Sequence, residues 1–236
     1  MSTTVALVHA VVPAMAPMRD ELTRELPDVR VVNLLDEGLL TEVERRGGLT
    51  SECADRLATV VRLGVDAGAS AVLLTCNAYS PIVGDIQARF PDVPVLAVDQ
   101  VMVDEAVARA TRIGVLATVA AGLEQQRTSL LNAAERMRKH IEIVASLHPD
   151  AMAALARGDA DTHDRILLEA LPPLAAQVEL VLLAQASMAR LAPKLPRDLP
   201  VAVLTSPGLA VERLRQVLTA RNPSPSAPDS VSRRPP

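Results

Sequence analysis

Eight short apolar runs, at 5–10, 29–34, 71–76, 93–99, 112–118, 141–146, 178–185 and 199–205, punctuate this chain, and most are separated by segments of helical length. The intervening segments include 51–67, 79–90, 100–110, 123–138, 150–157, 161–176 and 208–220. Strand, helix, strand in steady alternation is the pattern of βαβ crossovers, so the fold class is α/β with parallel sheet. Composition points the same way. With one Phe, one Tyr and no Trp in 236 residues, the core has to be built from Ala, Val and Leu, which suit parallel strands covered by helices on both faces.

The second half of the chain echoes the first. "VALV" at 5–8 matches "IGVL" at 113–116, "VLLTCNA" at 72–78 matches "VLLAQAS" at 181–187, and "DVPVLAV" at 92–98 matches "DLPVAVL" at 198–204. The order is the same and the offsets are 108, 109 and 106 residues. Each match is short and apolar, and parallel strands resemble one another because the same residues fill them. Three in register imply more than that: two similar halves related by a pseudo-twofold axis. The expected division is an N-terminal α/β half over 1–100 with 205–220 packing back on it, and a C-terminal half over 101–204. Residues 221–236 are Pro and Ser rich and are expected to be a disordered tail.

Ligands of open parallel sheets bind at the carboxyl ends of strands. Under the pseudo-symmetry Cys76 and Gln185 become equivalents, each at the last position of its strand, and a small molecule would lie between them. A thiol near a helix N-terminus has its pKa lowered by the partial positive charge there, which would favour a reactive Cys76 thiolate. The bland alternative is a small buried hydrophobe, which is the expected role of Cys53. Gln185 would donate to a carboxylate or carbonyl oxygen. The backbone N–H groups of Asn77, Ala78, Ala186 and Ser187 would hold carboxylate oxygens. Thr118 and Ser206 are either further ligand contacts or helix caps. His9 ends the first strand, where it would face the cleft. Asp161 has the look of a helix cap, with His163 at the surface or behind the site.

Charge and cysteine usage exclude several classes. The 24 basic and 28 acidic residues are scattered and give a net charge of −4, so neither nucleic acid nor a membrane surface is an expected partner. No apolar run approaches the roughly 18 residues of a membrane span, and the two cysteines suggest no disulfide, so a reducing cytoplasm is the expected compartment. No His, Cys and carboxylate grouping has metal-ligand spacing, and Gly114 and Gly122 are too isolated for a phosphate-binding fingerprint, so neither metal nor cofactor is expected. A homodimer or higher homo-oligomer is compatible with the sequence.

"TCNAYSP" after the third strand, "LLAQASM" at its counterpart, "HAVVP" at 9–13, "VPVLAVDQVMVDEAV" at 93–107, "RIGVLAT" at 112–118 and "ARGDADTHD" at 156–164 together resemble the aspartate/glutamate/hydantoin racemase superfamily, with arylmalonate decarboxylase and maleate isomerase as relatives. The resemblance extends to about residue 220. It implies two flavodoxin-like, Rossmann-like halves with the site between them, a small carboxylate-bearing substrate, and chemistry without metal or pyridoxal phosphate. Racemases of the family carry one cysteine on each side of the substrate. Cys76 matches the first; Gln185 stands where patterns such as "LGCTH" place the second, and an amide cannot exchange a proton at neutral pH. The resemblance therefore implies an isomerase of the racemase/epimerase type acting beside a carboxylate through a single thiol, or else a decarboxylase, cis-trans isomerase or lyase of the same superfamily, or a carboxylate-binding protein that has lost its chemistry.

Overall fold

The computed structural model describes residues 3–221; of the expected tail at 221–236 only Arg221 is among them, and it ends a helix, while 222–236 lie outside. The first half runs β1 (Thr4–His9), α1 (Met15–Glu25), β2 (Arg30–Leu35), α2 (Glu37–Arg46), α3 (Ser51–Asp66), β3 (Ala71–Leu74), a 3-10 helix (Asn77–Ile82), α4 (Val83–Arg89), β4 (Val95–Ala97) and α5 (Gln100–Arg109). The second runs β5 (Arg112–Ala117), α6 (Ala120–Arg136), β6 (Glu142–Leu147), α7 (Pro149–Ala156), α8 (Ala160–Ala175), β7 (Leu180–Leu183), a 3-10 helix (Ala186–Lys194), β8 (Ala202–Leu204) and α9 (Ser206–Arg221). Each half holds a four-stranded, all-parallel sheet, ordered β2-β1-β3-β4 and β6-β5-β7-β8. No helix among the described residues is long and apolar enough to cross a membrane.

All eight apolar runs are strands, and the central ones are sealed from water on both faces. Val5 to Val8, Ala71 to Leu74, Ile113 to Ala117 and Leu180 to Leu183 are buried almost without exception, as expected where helices cover both sides. Strand register makes the two halves equivalent residue by residue. Val5 pairs with Ala71 as Ile113 pairs with Leu180, and Thr4 pairs with Arg30 as Arg112 pairs with Glu142. The fourth strands correct one expectation. Val72 pairs with Val95 and its equivalent Val181 with Val203, so the repeat there is 108 residues and not 106. A slip of two residues along a strand leaves every side chain on the same face, so hydropathy alone could not detect it.

The halves exchange helices at their seam. α5, which closes the first half, buries Met102, Val103, Ala106 and Val107 in one core with Ile113, Val115 and Leu130 of the second. α9 buries Ala210, Val211, Leu214 and Leu218 against Val5, Leu7, Met18 and Leu22 of the first. α1 packs on the 3-10 helix after β7, as α6 packs on the one after β3. Burying a leucine fully contributes about 1.5–3 kcal/mol, so two such leucines on α9 make this packing a substantial part of the first half's stability.

One contact has changed hands between the halves. In the first, Gly64 of α3 lies on Ala6 of β1, and a Cβ at Gly64 would stand 2.6 Å from the Ala6 Cβ. In the second, the strand carries the glycine: a Cβ at Gly114, the equivalent of Ala6, would stand 3.1 Å from Leu174 and Val178. We expect Gly64→Ala to destabilise the protein by about 1–2 kcal/mol in chemical denaturation, because overpacking costs about 1–3 kcal/mol and the better helix propensity offsets only about 1. A gain in stability would show that α3 can lift off the sheet at little cost.

Candidate active site

Cys76 and Gln185 each lie two residues beyond the end of a central strand, not on its last position, and each is the residue before a 3-10 helix. Their backbones match, with φ −120°, ψ 124° at Cys76 and φ −115°, ψ 140° at Gln185. The hydrogen bonds match as well. Thr75 N–H donates to the Val8 carbonyl and Ala184 N–H to the Leu116 carbonyl, both at 2.9 Å. Tyr79 N–H donates to the Cys76 carbonyl at 3.1 Å and Met188 N–H to that of Gln185 at 3.0 Å. Asn77 draws the two turns together, its Nδ2 donating to the carbonyls of Gly122 at 3.3 Å and Ala184 at 3.5 Å. That side chain is therefore an interlock between halves.

Gln185 is held at one end and open at the other. Its Oε1 accepts from Thr118 N–H at 3.1 Å and from the Thr118 hydroxyl at 3.3 Å, while Nε2 is buried with no partner among the described residues. An amide oriented in this way presents a donor to whatever occupies the site. Thr118, expected to cap a helix or meet the ligand directly, spends both donors on Gln185; the residue before α6 is Val119, with no side-chain cap. Ser206 is buried at the start of α9. Ala186 and Ser187 are buried, whereas Asn77 and Ala78 keep part of their surface exposed.

Gly122 makes room for that amide, since a Cβ there would stand 2.7 Å from Gln185 Nε2. The atom it meets is the free end of a flexible side chain, so Gly122→Ala should move Gln185 without disturbing the fold. We expect turnover to fall roughly ten- to a hundredfold, because an ångström of misplacement can cost that much. The melting temperature should stay close to wild type, and parallel losses of activity and stability would refute the assignment.

The surroundings of Cys76 oppose the expected thiolate. Burial pushes the Cys76 thiol up to about 11, the negative charges of Asp99 and Glu44 add to the rise, and the Ala78 N–H that donates to it opposes them without prevailing. The helix that begins after Cys76 is a six-residue 3-10 turn containing Pro81, too short for an effective dipole. At neutral pH these surroundings favour the thiol. Cys53, by contrast, is packed in the first core with Leu57 and Tyr79.

Two histidine expectations also change. His9 is wholly buried and does not face the cleft: Nε2 bonds Asn33 Oδ1 at 3.1 Å and Nδ1 lies 2.8 Å from the Thr75 hydroxyl, leaving neither nitrogen for a ligand. Burial lowers its pKa and the bond to Asn33 only partly restores it, so the ring is neutral and braces the residue beside Cys76. His163 is also wholly buried, with Nδ1 2.8 Å from Asp164 Oδ1. Asp164 pairs with Arg190 at 3.1 Å and Lys194 at 2.6 Å, pinning the 3-10 helix that starts after Gln185. Burial works against the Asp164 charge, but these cations and His163 outweigh it and hold its carboxyl below the usual range. The α8 cap is Asp159, which accepts from Thr162 N–H at 3.0 Å, and not Asp161.

Two buried polar residues escaped the sequence reading. Asp99 follows β4, bonded to the Ser80 hydroxyl, with Oδ2 unpartnered among the described residues; Gln126 on α6 is fully buried with both amide atoms unpartnered. Asp99 lies within "VPVLAVDQ" and its place after a strand end was a usable signal; nothing distinguished Gln126 from a surface glutamine. Among the described residues no grouping of three or more His, Cys, Asp or Glu could hold a metal.

Two parallel four-stranded sheets with strand-end turns converging across a pseudo-twofold define a two-half α/β protein, with the candidate site at the seam. Residues 20–214 match the family described as Asp/Glu/Hydantoin racemase, and the chain belongs to it. Among solved structures, it resembles a glutamate racemase from Bacillus anthracis at 17% identity and TM-score 0.67, covering 93% of this chain and 83% of that one. An aspartate racemase homologue from Pyrococcus horikoshii OT3 matches at 14% identity and TM-score 0.65, over 93% and 100% of the two chains. The allantoin racemase of Klebsiella pneumoniae matches at 17% identity and TM-score 0.63, over 93% and 89%. No curated protein sequence matches.

Proposed function

We propose that this protein is a cofactor-independent enzyme that acts at the carbon alpha to a carboxylate of a small acid, with Cys76 as its single thiol acid/base. The observation that carries this reading is the matched pair of turns, thiol on one and amide donor on the other, tied together by Asn77. Gln185 Nε2 would donate to the substrate carboxylate as negative charge develops on it, and the N–H groups at the starts of the two 3-10 helices would hold its oxygens. Cys76 would exchange a proton with the alpha carbon from one face, a step that needs its thiolate and so requires the bound substrate to draw the proton off the thiol first. Nothing on the Gln185 side can do the same from the other.

The protonated state of Cys76 favours a second reading within the superfamily. A thiol is ready to donate, so a reaction that generates a carbanion by losing a group and needs protonation, as in a decarboxylase or lyase, uses Cys76 as it stands. Isomerisation with Cys76 as nucleophile would require the thiolate first. We place the protein in the cytoplasm because both cysteines are free.

Incubation with amino acids, hydantoins and substituted malonates in deuterated water tests these readings. The one-thiol reading expects deuterium at the alpha carbon with configuration kept, and the second reading expects loss of carbon dioxide or of another group with deuterium in the product. If no candidate acid gains deuterium, loses a group or isomerises, while carboxylates still bind, the protein is a binding protein and the enzyme reading fails.

A further inference from the structure

A cavity of about 160 Å³ lies on the seam beside the candidate site, and neither Cys76 nor Gln185 lines it. Its walls come from both halves: Ser80 and Asp99 from the first, Gln125, Ser129, Asn132 and Arg136 from α6 of the second. The α6 residues recur at steps of four, three and four, which sets them on one face of the helix as a polar stripe. The stripe runs from half-buried Gln125 and Ser129 to exposed Asn132 and Arg136, so the cavity opens to solvent at that end.

The polar groups of this cavity are incompletely satisfied. Asp99 is 1% exposed, and one carboxylate oxygen accepts from Ser80 while Oδ2 has no partner among the described residues. Ser129 is near enough to favour the charged carboxylate but does not complete a hydrogen bond to it. Gln125 Nε2 is likewise buried without a partner among the described residues. The remaining charges cancel: Arg136 pairs with Asp104 at 2.7 Å, and Gln100 Nε2 donates to both Asp104 oxygens at 3.1 and 3.0 Å. Burial pushes the Asp99 carboxyl up to about 6, so at neutral pH it is ionised with no cation beside it. The cavity is left with one negative charge, one vacant acceptor and one vacant donor. A buried carboxylate that faces such a cavity favours a partner of complementary charge over an apolar one.

We propose that this cavity is a second binding site, for a small protonated amine that also carries a hydroxyl oxygen, the ammonium group meeting Asp99 and the oxygen meeting Gln125. A cavity of about 150 Å³ accommodates benzene, so the ligand has about six heavy atoms or fewer. Because the two walls belong to different halves, occupancy ties α6 to the 3-10 helix that begins after Cys76. Gly122, which makes room for Gln185, is on the same helix as Gln125 and Ser129, so the ligand also fixes the placement of the Gln185 amide. The ligand class rests on charge and size and is independent of the reaction proposed above.

Ethanolamine tests the site, with ethylene glycol as its uncharged counterpart and acetate as an anion of similar size. Calorimetry on the wild-type chain should show saturable binding of ethanolamine, one per chain, with a raised melting temperature. Ethylene glycol and acetate should produce neither. Asp99→Asn, which keeps the Ser80 bond, should weaken ethanolamine binding about tenfold or more. Ser129→Leu, which fills the cavity and leaves the carboxylate in place, should abolish it. Cys76→Ala should leave it unchanged, which separates this site from the candidate active site. The proposal is overturned if the wild-type chain gives no saturable binding, if ethylene glycol binds as well as ethanolamine, or if folded Asp99→Asn and Ser129→Leu variants both bind it normally.

Discussion

Cys76→Ala is expected to lower turnover of any active substrate by about a hundred- to ten-thousandfold, the range a positioned acid or base contributes. The geometry leaves no substitute for the thiol: His9 is buried with both nitrogens engaged, and Gln185 cannot titrate. Cys53→Ala is the control. Its sulfur is packed in the core and its hydroxyl neighbour Thr50 lies 3.5 Å away, so truncation should cost a little stability and leave turnover per folded molecule nearly intact. Equal losses in both variants would mean that the site has been misplaced. The thiol's raised pKa, about 11, adds a second measurement on the wild-type protein. Only the thiolate is alkylated, so the labelling rate of Cys76 should climb about tenfold per pH unit from neutrality until the pH nears that value. A rate already level at neutral pH would show that a thiolate is present there, and the proton-donor reading would lose its basis.

The architecture was legible because aliphatic strands and amphipathic helices have different periods, and because the duplication repeats the strands in order. The pairing of Cys76 with Gln185 came from that repeat and from nothing else in their neighbourhood. Whatever depends on how the halves meet escaped. α1 and α2 are missing from the sequence reading, α1 because prolines crowd its start and α2 although Asp36 before it and Gly47 after it were usable boundary signals. The direction of the thiol's pKa shift was out of reach, since proximity to a helix start is visible in a sequence and desolvation is not, and burial is the larger effect. His9 and Asp99 were hidden for the same reason, each being a polar residue whose partner lies on another element, while the burial of His163 with its neighbour Asp164 depends on cations brought from the 3-10 helix after Gln185. Thr118 and Asn77 were singled out correctly as strand-end groups, yet each serves the seam: one aims Gln185 and the other locks the turns together.

Replacing the amide by a thiol should convert a one-sided site into a two-sided one. In Gln185→Cys the new sulfur would occupy the pseudo-symmetric position of Cys76, on a backbone whose φ and ψ differ from it by no more than 16°. Ser187, the counterpart of Ala78, would offer its N–H to that sulfur as Ala78 does to Cys76. The change carries a cost, since Thr118 loses the acceptor for both its donors and an unmet buried donor is worth about 1–3 kcal/mol. The variant should therefore melt lower than wild type while remaining folded. With a proton donor on each face, an acid that wild type only deuterates with retention should begin to invert, by roughly a hundredfold over background if the new thiol works as a positioned acid. Chiral chromatography of the recovered acid reads this directly. The double variant Gln185→Cys with Cys76→Ala should lose the inversion again, because racemisation needs both faces. A folded Gln185→Cys protein that still exchanges deuterium but never inverts would place residue 185 out of reach of the alpha carbon, and the pseudo-twofold would then describe the fold and not the chemistry.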